Sequence, residues 1–292
     1  DHIYKMDYEI MLQQHAATGA DVTIGCLTVP KAEASAFGVM HVDANMRITS
    51  FLEKPKDPPT IPGDPANSLA SMGIYVFSRD TLFDLLAKHP GATDFGKEII
   101  PEALRRNDHL QSYLFDDYWE DIGTIGAFYE ANMALTDQPN PAFSFYDEKF
   151  PIYTRPRYLP PSKMLDAQVT QSIIGEGSML KACSVHHCVL GVRTRVEDEV
   201  VLQDTLVMGN DFFESSEERA VLRERGGTPL GVGRGTTVKR AILDKNVRIG
   251  RDVTIVNKDR VEEADRPELG FYIRNGIVVV VKNATIADGT VI

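Results

Sequence analysis

Short apolar repeats fill the second half of this sequence and restrict its fold more than any other feature. In this half, aliphatic residues recur about every six positions, as Val196 follows Leu190, and several of them stand directly before a glycine. One inward aliphatic residue in each short strand is the pattern of a parallel β-helix, whose coils bury apolar side chains against one another. An aliphatic residue or methionine stands before glycine at Ile174-Gly175, Leu190-Gly191, Met208-Gly209, Val232-Gly233 and Ile249-Gly250.

We therefore predict a parallel β-helix over residues 162–292. The charged insertion 211–227 is predicted to be a loop extruded from one coil. The alternative that the pattern leaves open is a β-sandwich with ordinary turn glycines.

The first 137 residues instead alternate strand and helix, which is typical of an α/β sheet covered by helices. Apolar spacing and glycine or proline breaks set the predicted bounds. Residues 138–161 hold six prolines and no regular period, and we expect them to form a connector between two domains. The predicted helices are 1–18, 79–88, 94–106 and 125–135, and the predicted strands are 22–29, 37–40, 47–52, 68–77 and 110–119.

Charge and cysteine content exclude several classes of function. The net charge of −11 disfavours nucleic acids and anionic membranes as partners, and no apolar run reaches the length of a membrane span. Three cysteines are too few and too irregular for a disulfide framework, which predicts a reducing, cytoplasmic setting. Cys183 and Cys188 flank His186 and His187, but a second ligand pair with zinc-site spacing is missing.

Two polar stretches end predicted strands, where α/β sheets bind ligands. The first, 118–124, contains the only tryptophan, Trp119, and the carboxylate of Asp121 before a glycine. The second is Glu53-Lys54-Pro55 at the end of a predicted hairpin. Taken alone, the first stretch also fits a buried tryptophan with Asp121 as a turn residue, and the second fits a solvent-exposed turn.

Six segments in order resemble the ADP-glucose pyrophosphorylases, the glucose-1-phosphate adenylyltransferases of bacterial glycogen and plant starch synthesis. The catalytic half looks most like bacterial members, and the β-helix half looks like the cyanobacterial and plant small-subunit type. The family's glycine-rich phosphate loop is not in this sequence. The resemblance therefore implies a partial Rossmann-like nucleotidyltransferase domain with a mixed sheet, followed by a left-handed parallel β-helix that serves regulation and assembly. The segments are 1–8, 36–39, 51–56, 70–77, 94–96 and 118–124.

This resemblance implies adenylyl transfer from ATP to α-glucose 1-phosphate, with release of pyrophosphate. It implies Asp1 and Asp121 as catalytic carboxylates that hold Mg²⁺, which prefers oxygen ligands and substrate phosphates. Lys54 matches the residue that holds the sugar phosphate. The remaining substrate contacts implied are Glu53, Ser71, Tyr75, Asp94 and Trp119.

Control by phosphorylated effectors and a homotetrameric assembly are also implied. Lys245 and Lys282 match the family's activator lysines, and Arg274 is a candidate third member of the anion site. Three alternatives stay open at this point: a non-catalytic regulatory subunit or fragment, a nucleotidyltransferase for another base, and a hexapeptide acyltransferase. The acyltransferase is disfavoured because the sequence places no acidic partner beside His186 or His187.

Overall fold

A computed structural model describes residues 2–137 and 141–292. The chain divides into two compact units, one of residues 5–117 and one that joins residues 118–292 to the amino-terminal segment up to Tyr4. Among the described residues, no helix is both long enough and apolar enough to cross a membrane. The two units are described separately below.

The amino-terminal half contains seven strands and four α-helices among its described residues. A π-helical turn, Phe95–Ile99, directly precedes α3. In chain order the elements are β1 (His2–Tyr4), α1 (Tyr8–Thr18), β2 (Val22–Pro30), β3 (Gly38–Val42), β4 (Ile48–Glu53), β5 (Asn67–Phe77), α2 (Arg79–Lys88), α3 (Ile100–Arg105), β6 (Leu110–Leu114), β7 (Trp119–Asp121) and α4 (Ile125–Ala134).

Five of these strands form one mixed sheet in the order β4-β3-β5-β2-β6. Strands β2 and β6 are parallel, whereas the other neighbours are antiparallel. Val22, Ile24 and Cys26 of β2 are fully buried, and Leu85 of α2 and Ile100 of α3 pack in the same core. The expected mixed α/β sheet domain is confirmed.

The structure corrects two element boundaries. The predicted helix 1–18 begins only at Tyr8, because the Asp7 side chain caps it by accepting a hydrogen bond from the Glu9 amide at 2.9 Å. Residues before the cap form β1, which pairs with β7. The predicted strand 110–119 is two strands in the structure. β6 joins the main sheet, whereas β7 lies apart from it because it pairs with β1.

The carboxyl-terminal half is mainly a stack of short parallel strands, with one α-helix and one 3-10 helix among its described residues. In chain order it contains β8 (Lys163–Leu165), β9 (Gln168–Thr170), β10 (Ile173–Ile174), β11 (Met179–Lys181), β12 (Ser184–Leu190), β13 (Arg195–Val196), β14 (Val201–Val207), α5 (Ser216–Glu224), β15 (Gly231–Val232), β16 (Thr237–Leu243), β17 (Arg248–Ile249), β18 (Thr254–Ile255), β19 (Glu263–Arg266), β20 (Phe271–Arg274), β21 (Ile277–Val280) and β22 (Thr285–Ile286).

Parallel pairing from coil to coil confirms the predicted β-helix. Leu180, Val196, Val232, Ile249 and Ile286 follow one another in register through β11, β13, β15, β17 and β22, and all are buried. The long strands β12, β14 and β16 run side by side on the neighbouring faces. The antiparallel hairpin of β19, β20 and β21 departs from this pattern near the carboxyl end.

The chain bends between the faces of the β-helix at residues with left-handed backbone conformation. His187, Asp204 and Arg240 occupy equivalent corner positions in β12, β14 and β16, with φ of 51°, 48° and 48°. Such angles cost L-residues free energy, so the stacked coils must stabilise them. None of these three corner residues is a glycine, so the repeat pattern of aliphatic residues and glycines did not identify them.

The repeated glycines allow adjacent coils to approach closely, whereas the corner residues allow the chain to bend. A Cβ atom on Gly191 would lie 2.4 Å from the Met208 carbonyl oxygen, and one on Gly233 would lie 2.3 Å from the Gly250 oxygen. Adjacent coils therefore approach so closely at these positions that only glycine fits.

The insertion 211–227 is not the simple loop that was predicted. It contains α5, which a capping box starts: Ser215 and Glu218 exchange side-chain and backbone hydrogen bonds. Arg219 of this helix is only 4% exposed and donates to Glu197 at 2.6 Å and to the Leu230 carbonyl at 2.8 Å. These contacts hold the insertion against the coils.

We predict that Gly191→Ala destabilises the protein by about 1–3 kcal/mol, because the added methyl group meets backbone rather than a mobile side chain. Thermal unfolding followed by circular dichroism should show a melting temperature several degrees lower. Gly91→Ala is the control, since a Cβ there has open space around it. Equal melting temperatures for the two variants would contradict the close-approach argument.

Candidate functional site

Four of the predicted substrate contacts converge in the unit of residues 5–117. An irregularity in β5 helps to place them: the pairing with β2 passes from Ile24↔Tyr75 to Cys26↔Ser71, so three residues of β5 oppose the single Gly25. Gly73, with φ of 72°, lies within this bulge, and its amide donates to the Ser71 hydroxyl at 3.2 Å. Bulges of this kind redirect neighbouring side chains.

Tyr75 is at the centre of this group. Burial raises the pKa of its hydroxyl, the hydrogen bond with Ser71 opposes that rise, and the negative charges of Glu53 and Asp94 add to it. The hydroxyl therefore stays neutral and remains a hydrogen-bond donor at physiological pH. We call Glu53, Ser71, Tyr75 and Asp94 the tyrosine cluster.

Two glycines make room for the Glu53 carboxylate. A Cβ on Gly38, which pairs with Glu53 across β3 and β4, would lie 2.9 Å from its Oε2, and a Cβ on Gly96 would lie at the same distance. Both glycines follow phenylalanine in segments that carry the resemblance, but neither was predicted as a site residue. The repeated Phe-Gly pair was the signal available in the sequence.

Asp94 is oriented by the helical turn that it caps. Its Oδ1 accepts the Lys97 amide at 3.0 Å, and the Lys97 ammonium lies 3.3 Å from Oδ2. The backbone bond to Lys97 is the main reason that the pKa of Asp94 lies below its usual value. Phe95 stacks on Tyr75 with ring centroids 5.8 Å apart, so the turn also fixes the tyrosine ring.

Lys54 follows the cluster in an unusual backbone conformation. Its φ is 48°, although a residue before proline is normally extended. The Lys54 amide donates to the Phe37 carbonyl at 3.0 Å, which holds this bend. The side chain is exposed and forms no ion pair with any described residue, so its charge is available to a ligand.

The other predicted catalytic region lies in the second unit, on the β1–β7 strand pair. His2 is opposite Asp121, and the His2 and Trp119 rings are 4.9 Å apart. Asp121 Oδ1 accepts the Gly123 amide at 3.1 Å. Asp1, the other predicted metal carboxylate, lies outside the described residues.

The donor set that the structure describes at this place fits Mg²⁺ in part. The part of the chain from residue 2 onward, apart from 138–140, holds no cluster of three or more histidine, cysteine or acidic side chains suited to a metal. Magnesium commonly uses only one or two carboxylates and takes its other ligands from water and substrate phosphates. Asp121, partly exposed at a strand end, is consistent with that use.

The two predicted effector lysines are brought together by Asp211. Lys245 Nζ lies 2.8 Å from Asp211 Oδ1, and Lys282 Nζ lies 3.9 Å from Oδ2. Asn246 also donates to Oδ2, at 2.9 Å. The hydrogen bond from Lys245 is the main cause of a lowered pKa at Asp211, which therefore remains ionised.

Arg274 does not join this group. It is paired with Ile277 at the opposite end of the β20–β21 hairpin from Lys282. Its guanidinium lies 2.6 Å from Asp265 and 3.5 Å from Glu263. The structure thus gives Arg274 acidic partners of its own, which spacing in the sequence did not reveal.

His187 does have an acidic partner, contrary to the prediction. Its Nδ1 lies 2.6 Å from Asp204 Oδ1, because the two residues occupy neighbouring corners of successive coils. The Asp204 carbonyl also accepts a hydrogen bond from the Tyr129 hydroxyl of α4, at 2.7 Å. The Tyr129 hydrogen bond ties α4 to the β-helix at this corner. His186 instead contacts Thr170 at 2.9 Å.

Comparison with protein families agrees with this architecture. Residues 1–138 match the nucleotidyl transferase family model, and residues 157–291 match the model of the GLGC left-handed parallel β-helix domain. The first match indicates an enzyme that acts on a nucleotide and a sugar phosphate. Together, the two matches fit the ADP-glucose pyrophosphorylase family and support a sugar-phosphate nucleotidyltransferase.

Proposed function

We propose that the protein is a glucose-1-phosphate adenylyltransferase, which transfers the adenylyl group of ATP to α-glucose 1-phosphate and releases pyrophosphate. The observation that carries this proposal is the tyrosine cluster, where Glu53, Ser71, Tyr75 and Asp94 converge. Two carboxylates and two hydroxyl groups suit a ligand that presents several hydroxyls, such as a sugar. The β-helix match supports the choice of ATP and glucose 1-phosphate within the wider class.

Within this proposal, the sugar hydroxyls bind the tyrosine cluster and the sugar phosphate binds Lys54. Asp94 and Glu53 accept hydrogen bonds from the hydroxyls, and the neutral Tyr75 hydroxyl donates one. The ammonium of Lys54 then orients the phosphate oxygen that attacks the α-phosphate of ATP. Holding the reactants in this way supplies much of the catalysis in phosphoryl-type transfers.

Mg²⁺ would be held by Asp121 together with Asp1, and it would neutralise the phosphates of ATP when bound. Asp121 is suited to this role because one carboxylate oxygen is fixed by the Gly123 amide. A half-oriented carboxylate loses less conformational freedom when a cation binds. Trp119, two residues earlier on β7, is proposed to contribute to the substrate site.

Regulation by phosphorylated effectors is proposed at Lys245 and Lys282. In this structure, Asp211 already supplies a negative charge to both lysines. An effector phosphate would compete with that carboxylate, so Asp211 sets a threshold for activator binding. A homotetramer in the cytoplasm is the assembly implied by the resemblance; it stays a prediction that light scattering can test.

The first prediction for this function concerns Lys54. Lys54→Ala removes one charge-assisted phosphate contact, worth about 1.5–3 kcal/mol, so KM for glucose 1-phosphate should rise roughly tenfold or more. KM for ATP should change far less. Steady-state kinetics of the full-length enzyme provide the measurement, and Lys56→Ala, an exposed lysine in the same loop, is the matched control. Equal changes in both KM values would remove Lys54 from the sugar-phosphate site.

The second prediction concerns Asp121. Asp121→Asn should abolish turnover in the full-length enzyme and leave the fold intact, because the amide oxygen can still accept the Gly123 hydrogen bond. Glu120→Gln, the neighbouring change on β7, is the control and should remain active. Activity is measured over a range of Mg²⁺ concentrations, with circular dichroism as the folding check. Near-normal kcat at saturating Mg²⁺ would rule out a metal role for Asp121.

The third prediction distinguishes the effect of the lysines on activator binding from the effect of Asp211. Lys282→Ala should raise the activator concentration needed for half-maximal stimulation, because differential contacts with the active state are lost. Asp211→Asn should lower it, because the competing charge is removed. Titrations with 3-phosphoglycerate and fructose phosphates provide the measurement, and unstimulated activity should stay similar. Overlapping titration curves for all three proteins would exclude this group from control.

A further inference from the structure

A groove of about 850 Å³ lies on the β-helix between successive coils and the insertion that contains α5. Turns that include Gly233 and Gly250 form part of its lining, and the segment 226–230 faces them. Its volume falls in the range of small-molecule sites, roughly 300–1,000 Å³. We call this the coil groove. It includes neither Lys245 nor Lys282, nor any residue of the tyrosine cluster.

The coil groove is positively charged, although the chain carries a net charge of −11. Three carboxylates line it: Glu197, Asp198 and Asp288. Five cationic side chains line it: Lys181, Arg219, Arg223, Arg234 and Arg251. A local excess of cations in an acidic protein attracts anions to this place.

Two of the arginines stand at equivalent positions on neighbouring coils. Val232 pairs with Ile249, and Arg234 and Arg251 each follow two residues later. The Asp252 amide donates to the Arg234 carbonyl at 2.9 Å, so the coils remain paired there. Neighbouring strands lie about 4.8 Å apart, and like charges directly opposite each other are destabilising. This register places the two arginines on adjacent turns, where one anion can contact both side chains.

The nearby carboxylates offset the charge of Arg234 but not that of Arg251. Arg234 has Glu199 at 2.6 Å, on the exposed surface, and the charges of Asp198 and Asp252 also help to raise the pKa of its guanidinium. Arg251 forms no side-chain ion pair with any residue that the structure describes. Asp198 is engaged by Lys181 at 3.1 Å. The Arg251 side chain is therefore available to a ligand.

The wall opposite these arginines is held firmly. Burial tends to raise the pKa of Glu197, but hydrogen bonds and charges from Arg195 and Arg219 outweigh it, and the net pKa is lowered. The ionised Glu197 accepts from Arg195 at 3.0 Å and from Arg219 at 2.6 Å. Arg219 also fixes the Leu230 carbonyl. A groove with one fixed wall needs little reorganisation to bind a ligand.

We propose that the coil groove binds a small phosphorylated metabolite whose phosphate lies between Arg234 and Arg251. Arginine forks match phosphate oxygens in paired hydrogen bonds, and a dianion offsets both charges at once. The remaining volume takes the organic part of the ligand, against the polar turns of the segment 226–230. This site is additional to the lysine pair proposed above for effectors.

The test is isothermal titration calorimetry on the whole chain, with inorganic phosphate and with ribose 5-phosphate as probes. Ribose 5-phosphate should bind more tightly than phosphate. The double variant Arg234→Ala/Arg251→Ala should bind it at least about tenfold more weakly, because two charge-assisted contacts are lost. Arg225→Ala, the same charge change just outside the groove, should bind like the wild type. Both arginines of the pair are exposed, so the variants keep their fold, which circular dichroism verifies.

A further variant should have the opposite effect on the affinity for ribose 5-phosphate. Asp288→Asn removes a negative charge from the groove but keeps an oxygen that can accept the Arg251 amide, now at 2.8 Å. It should tighten binding, whereas a merely structural role of this region would weaken it.

Four outcomes would overturn the proposal. The first is that the wild type binds neither probe at millimolar concentration. The second and third are unchanged binding by the double arginine variant and unchanged or weaker binding by Asp288→Asn. The fourth is loss of binding in Lys245→Ala/Lys282→Ala. The last would place the anion at the lysine pair. Equal affinity for both probes would show that the groove takes free phosphate rather than a metabolite.

Discussion

Backbone pairing between the coils of the β-helix is the constraint on which the rest of the carboxyl-terminal half depends. Each coil approaches the next so closely that the Gly191 and Gly233 positions accept no Cβ. That contact fixes the register, and the register stacks Leu180, Val196 and Val232 into a continuous core. It also aligns the residues outside the core in columns. The surface chemistry of this half is therefore a consequence of its backbone spacing.

Those columns explain how an acidic chain forms places that favour anions. Arg234 and Arg251 are neighbours in space because Val232 and Ile249 are paired. Lys245 and Lys282 meet around Asp211 for a related reason: Leu243 and Val280 are paired, and each lysine follows two residues later. A net charge of −11 says nothing about such local groups. Both pairs sit on rigid strands or turns, which reduces the entropy lost when a ligand binds.

The amino-terminal unit reaches its candidate site by departing from regular structure. A bulge in β5 places Ser71 and Tyr75, a π-helical turn orients Asp94, and a left-handed residue before proline presents Lys54. Each departure costs free energy and persists only because surrounding contacts hold it. Irregular backbone at the same place as convergent polar side chains is typical of binding sites. This coincidence is the structural reason for proposing the sugar-phosphate site there.

The sequence by itself determined the two architectures, because apolar periodicity reports burial directly: alternating elements in the first half and six-residue repeats in the second. It also predicted the helix that begins at Ile125. Only the tertiary structure decided which distant side chains meet. It paired His2 with Asp121, gave His187 the partner Asp204, and took Arg274 away from the effector lysines. Local sequence encodes which face of an element is buried, whereas these contacts follow from strand register, which is set by packing over the whole domain.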